Sequence, residues 1–193
     1  PAAEPAGLVS NALTPVGALV DVSTVDAIRT PPITTEHSSL GIAWMRLPDP
    51  TNVTALLIGD VLMFDVTPPD FPAWTSSILQ TGTAAPLCPA APRNALILQS
   101  SGQARLAING SSLILNGTML VATDETHTNF ISLAGQSSVL ALGQQQLVQP
   151  GQQVAVTYAV GNVSAPTTPP SAPAPLNPAY LQYLPIPLFD RPL

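Results

Sequence analysis

From residue 95 to residue 158 the chain is cut every few residues by a turn former, and the apolar segments between the cuts are too short to be helices. Residues 95–99 (ALILQ) stop at Ser100, Ser101 and Gly102. In 103–108, Ala104, Leu106 and Ile108 share one face while Gln103 and Arg105 share the other, the period of two that marks a half-buried strand. Asn109-Gly110 supplies the two left-handed positions of a type I′ hairpin turn, and Asn116-Gly117 repeats that chemistry between 111–115 and 118–122. A hydrophilic loop at 123–128 follows. Segments 129–133, 137–142, 144–148 and 152–158 complete the run, parted by Ala134-Gly135, by Gly143 and by Pro150-Gly151. Strands this short and evenly spaced predict an all-β roll or sandwich of short antiparallel strands rather than a parallel sheet with crossover helices.

The first half is less regular. Residues 40–47 (LGIAWMRL), 53–58 (VTALLI) and 61–66 (VLMFDV) predict three more strands, with a turn at 48–51 and a type II′ hairpin at Gly59-Asp60. Residues 18–22 read as a strand. Residues 23–28 read as one helical turn capped by Ser23, with Asp26 three positions on, and 73–80 as a short helix around Trp74. The apolar-Gly-apolar pattern around both Gly59 and Gly143 fits either a faint duplication or two generic hairpins.

The 193 residues divide into four parts: an extended Ala- and Pro-rich N-terminal arm (1–17), a β-rich domain (18–164, most regular at 95–158), a polyproline linker (165–175) and an apolar C-terminal arm (176–193). The linker, APTTPPSAPAP, would span roughly 30 Å as a stiff spacer at about 3.1 Å per residue. The last arm carries Leu176, Tyr180, Leu181, Tyr183, Leu184, Ile186, Leu188, Phe189 and Leu193, too many apolar side chains for a solvated tail. Apolar contact alone does not offset the entropy of ordering such a segment. Main-chain hydrogen bonding to a sheet edge or groove must therefore hold it, on the parent domain or on a neighbouring copy.

Charge narrows the functional classes. Only 8% of residues are charged, against about 25% in an ordinary soluble domain. All five cations are Arg, and the net charge is −6 with no basic cluster, which argues against nucleic acid and anionic membrane surfaces. No apolar run reaches the ~18 to 20 residues of a membrane-spanning helix. So little charge also leaves little repulsion between copies, which points to self-association.

The residues offer little chemistry. His37 and His127 sit in separate polar loops without the spacing of a metal site, and adjacent Asp124 and Glu125 would point to opposite faces of a strand. Neither a nucleophile elbow nor a phosphate-binding or dinucleotide-binding loop is present. No catalytic, cofactor-binding or metal-ligating residue is nominated, and no cofactor is implied. Cys88 is the single cysteine, a small half-buried hydrophobe or an intermolecular bridge. Trp44, Trp74 and Phe71 are either core residues or an aromatic platform for sugars. Four Asn-x-Ser/Thr triplets occur: Asn52 and Asn162 beside proline-rich stretches are the better glycan acceptors, while Asn109 and Asn116 serve equally well as turn residues. A start at Pro1 is consistent with a processed export product.

Within 113–158, the order of Asn116, Gly117 and Thr118 leading into Met119, Leu120 and Val121, then Leu133-Ala134-Gly135, then Pro150, Gly151, Gln152, Gln153 and Val156 resembles the later half of FecR-type β domains. The Asp-Gly-Ser strand that precedes this region in that family is absent here. The resemblance implies an exported, non-catalytic β-roll of bacterial type.

Two functions follow as expectations. In the first, the chain is a non-enzymatic, secreted or cell-surface structural subunit that assembles with other copies of itself, as a filament, lattice or coat, through its arms and sheet edges. In the second, it is a surface-displayed or periplasmic FecR-like binding or sensing module whose partner is another surface protein.

Overall fold

The computed structural model describes residues 19–34, 41–84, 88 and 90–193; the expected N-terminal arm and His37 lie outside them. The strands are β1 (Ala27–Thr30), β2 (Ile42–Arg46), β3 (Val53–Ile58), β4 (Val61–Asp65), β5 (Ser76–Thr81), β6 (Ala95–Ser100), β7 (Ala104–Ile108) and β8 (Ser111–Leu115). They continue as β9 (Thr118–Thr123), β10 (His127–Ala134), β11 (Ser137–Ala141), β12 (Gln144–Val148), β13 (Gln152–Ala159), β14 (Asn162–Pro166) and β15 (Ala174–Pro175). Two sheets form a sandwich-like all-β fold. The first runs β1-β4-β5-β7-β8-β11-β12, and the second runs β14-β13-β10-β9-β6-β3-β2, with the short β15 also on β13. Among the described residues all pairings are antiparallel except β5 with β7.

After every one or two strands the chain crosses to the other sheet, so many of the turn signals are corners. Asn109-Gly110 is the predicted hairpin, with φ +52 and +70 and β7 paired to β8. Gly143 likewise joins paired strands β11 and β12. Gly59-Asp60 does not make a hairpin: β3 belongs to the second sheet and β4 to the first. Asn116-Gly117 is likewise a crossover, from β8 to β9. Left-handed φ at Gly59 (+75) and Gly117 (+110) reverses the chain in either setting. The partner is chosen by which apolar face must be covered. Gly59 and Gly143 therefore play different parts, which removes the reading of a duplicated hairpin.

Two predicted helical segments are strands or turns. Ser76–Thr81 alternates in burial and pairs with β4, so the residues after Trp74 form β5. Trp74 sits at φ +66 with its indole buried and its Nε1–H donating to the Val22 carbonyl at 3.0 Å. Near the start, Asp21 rather than Ser23 caps a 3-10 turn at Val22–Thr24, accepting from the Ser23 N–H at 3.0 Å. The next residues pair with β4 as β1 instead of continuing a helix.

The main core lies between the sheets, with Leu57, Leu79, Leu96, Leu113, Met119 and Phe130 fully buried. Three polar stitches cross it. The Asn109 amide donates to the Leu79 carbonyl at 3.0 Å and to Thr128 Oγ1 at 2.8 Å, and accepts from the Leu79 N–H at 2.7 Å. Thr81 of β5 and Thr123 of β9 exchange hydroxyl-to-backbone bonds in both directions. Ser111 meets the Tyr158 hydroxyl at 3.0 Å.

Candidate binding surface

The second sheet is buried on both faces at its centre. Every residue of β3, β6 and β9 is buried. By strand alternation, Leu56 and Ile58, Ala95 and Ile97, Leu120 and Ala122, and Ile131 turn away from the sandwich core and form a second apolar cluster. Leu176, Tyr180, Leu184 and Phe189 pack on that cluster, joined by Ile33 and Leu133. The C-terminal segment is thus a strap across its own sheet. A face this apolar costs free energy when wet, and the strap removes it from water.

Its proline-rich lead-in lies along β13 rather than standing off as a spacer. Prolines 166, 169, 170, 173 and 175 lack an N–H, so the intervening residues carry the pairing. Thr167 and Ser171 donate N–H bonds to the carbonyls of Thr157 and Ala155, both at 2.8 Å. In return, the Ser171 and Thr168 hydroxyls accept the N–H groups of Ala155 at 3.0 Å and Thr157 at 3.3 Å. Ala174 and Pro175 then pair with Gln153 and Gln152, and the Leu176 N–H reaches the Gly151 carbonyl at 2.9 Å. These main-chain bonds belong to the lead-in and stop at Leu176, and they are made within one chain; beyond Leu176 the arm's backbone is met by the side chains of Gln153 and Gln99.

The far end of the strap is pinned twice. The Gln99 amide donates to the Arg191 carbonyl at 2.9 Å and accepts from its N–H at 3.2 Å. Asp190 lies 3.9 Å from the Arg46 guanidinium, which in turn stands 5.8 Å above the Trp44 ring. Midway, the Arg93 guanidinium stands 5.8 Å from the Tyr180 ring. Burial raises the Tyr180 hydroxyl above the ordinary tyrosine pKa, opposed by Arg93 and reinforced by Asp124.

The nine apolar arm residues are therefore divided between two surfaces. Leu176, Tyr180, Leu184 and Phe189 face the sheet, whereas Leu181, Tyr183, Ile186, Leu188 and Leu193 remain exposed. Exposed Ile42 and Trp44 on β2 register with Ile58 and Leu56, so the outer apolar face continues past the strap's last anchor. Each of the three inner, all-buried strands carries a continuous apolar run, ALLI in β3, ALIL in β6 and MLVA in β9, where a half-exposed strand would alternate. That pattern is the sequence signal for a sheet covered on both sides.

The other singled-out residues separate. Asn109 is fully buried with its amide engaged, so the folded chain offers no acceptor nitrogen there. Asn52, Asn116 and Asn162 are exposed, and Asn162 Oδ1 accepts from both the N–H and hydroxyl of Ser164 at 3.1 and 2.7 Å. Trp74 belongs to the core, which dissolves the three-ring platform; Trp44 and Phe71 are exposed. Cys88 is a free, half-buried thiol. Asp124 orders its loop by accepting from the N–H groups of Thr126 and His127 at 2.9 and 2.7 Å, with His127 Nδ1 3.1 Å away. Partial burial pushes the Asp124 carboxyl upward, but these hydrogen bonds outweigh it and hold the group below its usual range. Among the described residues no three His, Cys, Asp or Glu side chains gather where they could hold a metal ion.

The fold and this surface define an all-β sandwich closed by a strap. No family model matches the chain and no curated protein matches it. Two crystal structures are similar to it, both of a candidate anti-sigma factor from Parabacteroides distasonis ATCC 8503. One shares 11% identity with TM-score 0.45 over 68% of this chain and 54% of that one; the other shares 11% identity with TM-score 0.46 over 69% and 55%. The chain thus spans about half the length of those proteins.

Proposed function

We infer that the chain is a non-enzymatic binding module of the cell surface or periplasm, of FecR-like sensing type, which engages another protein through the outward side of its strap. The observation that supports this reading is the division of the strap. One set of side chains anchors it, and a second set, Leu181, Tyr183, Ile186, Leu188 and Leu193, is held in water on a fixed backbone. Exposed apolar side chains on an ordered scaffold suit a protein partner, because little further entropy is lost on docking. An arm-bridged polymer would instead require Leu176, Tyr180, Leu184 and Phe189 to leave the sheet they cover.

The test compares the parent chain with a variant carrying Leu181→Ser, Ile186→Ser and Leu188→Ser, whose side chains are exposed and leave the anchors untouched. Each is immobilised and offered the envelope proteins of the source cells, and any retained protein is purified and titrated back. A partner that binds the parent at least about tenfold more tightly than the variant, the scale of losing two or three apolar contacts, supports the reading. Equal binding to both, or no partner at all, overturns it.

A further inference from the structure

A two-sheet sandwich has four lateral edges, and three of them here carry a device that discourages strand addition. The proline lead-in lies along β13, and the neighbouring β14 ends in Pro166. β1 has four residues, contains Arg29 and is followed by Pro31 and Pro32. β2 carries Arg46 with Asp190 beside it. β12 differs from all three. Among the described residues no strand pairs with its outer edge. It contains no proline and no charge, and from residue 128 to residue 189 the chain has no Asp, Glu, Lys, Arg or His. β12 carries Leu147, 47% exposed, and beside it stand Leu140 of β11 and Leu142 of the turn, 39% and 60% exposed.

We propose that β12 is a homodimer edge, where a second copy of this chain adds its own β12 antiparallel about a two-fold axis through Gln146. A strand paired with itself in this way makes an isologous contact, the commonest route to a symmetric dimer. In that register Gln146 opposes the partner's Gln146, and Leu147 opposes the partner's Gln145. No like charges meet across the seam, which is the usual penalty when a strand pairs with its own copy. A partner recognised by charge has nothing to grip here. The exposed leucines of each copy extend one apolar strip over the joined sheets. The site is independent of the strap, so the two readings stand or fall separately.

The full chain is examined by sedimentation across a concentration series, alongside Leu147→Lys and Gln144→Lys; both side chains are exposed, and circular dichroism checks that the fold is kept. The parent is expected to dimerise, each lysine to weaken the dimer at least about tenfold, and the strap triple-serine variant to dimerise like the parent. A second measurement fixes the register. In a Cys88→Ser background, Gln146→Cys should oxidise to a covalent dimer, since opposed Cα atoms in an antiparallel pair lie about 4.5–5.5 Å apart. Gln144→Cys in the same background should remain uncrosslinked. A chain that stays monomeric at every concentration, lysine variants that associate like the parent, or crosslinking at 144 in place of 146 overturns the proposal.

Discussion

Asn109 serves the turn and the core at once. Its backbone takes the left-handed conformation that opens the β7–β8 hairpin, while its side chain supplies both halves of a strand-like pairing to Leu79 and reaches Thr128 in the opposite sheet. Alanine at this position strands the buried N–H and carbonyl of Leu79, each costing roughly 1–3 kcal/mol, so Asn109→Ala should lose about 3 kcal/mol or more in a urea melt. Tyr158 makes a different prediction. Burial raises its hydroxyl pKa, with Ser111 and Thr128 pulling partly back. A raised tyrosine pKa means that the fold prefers the neutral ring. The contribution is fully present below the ordinary value of 10.0 and is lost as pH rises from there through the higher folded value. Denaturant melts should therefore weaken in alkali, and Tyr158→Phe should flatten that slope while costing about 1 kcal/mol at neutral pH through the lost hydroxyl contact. The sequence shows Asn109 as a turn former. Its bond to Leu79, thirty residues earlier, needs the folded chain.

Among the elements, the strap departs furthest from its sequence reading. Proline density and apolar ends suggest a spacer with a sticky tail; the structure makes the spacer an edge cover and half the tail a sheet cover. Residues 167, 168 and 171 decide the first point, because Thr167 and Ser171 donate the N–H bonds that proline cannot and the Thr168 and Ser171 hydroxyls accept from β13. Leu184 and Phe189 decide the second. Replacing both with alanine reopens the outer face, and since each is only half-buried, the loss should be roughly 3 kcal/mol rather than the sum for two core residues. Increased binding of a hydrophobic dye and faster amide exchange at Leu120 and Ile131 would accompany it; unchanged exchange there would mean that the strap does not cover the sheet in solution. The turns teach a related lesson. Asn109-Gly110 and Asn116-Gly117 look alike as dipeptides, yet one closes a hairpin and the other carries the chain between sheets. In the second case Gly117 and Gly135 pass backbone against backbone, with the Ala134 carbonyl where a Gly117 side chain would begin.

At the scale of the molecule, the two sheets share one core, and among the described residues a strap closes the outer face of the second. The closed face explains why the inner strands of the second sheet can be buried on both sides, and among the described residues β12 is where the first sheet's edge is still open. The sequence by itself determined the all-β class, most strand positions after residue 95, the two-residue steps between them and the scarcity of charge. These follow from local φ preferences and from the period of side-chain alternation, both readable over a few neighbours. Only the tertiary structure decided which steps are hairpins and which are crossovers, that Asn109 is sealed inside, and that the C-terminal segment lies on its own sheet. Each of those outcomes depends on which distant apolar surface wins a partner, a competition among contacts far apart in the chain that no local pattern records.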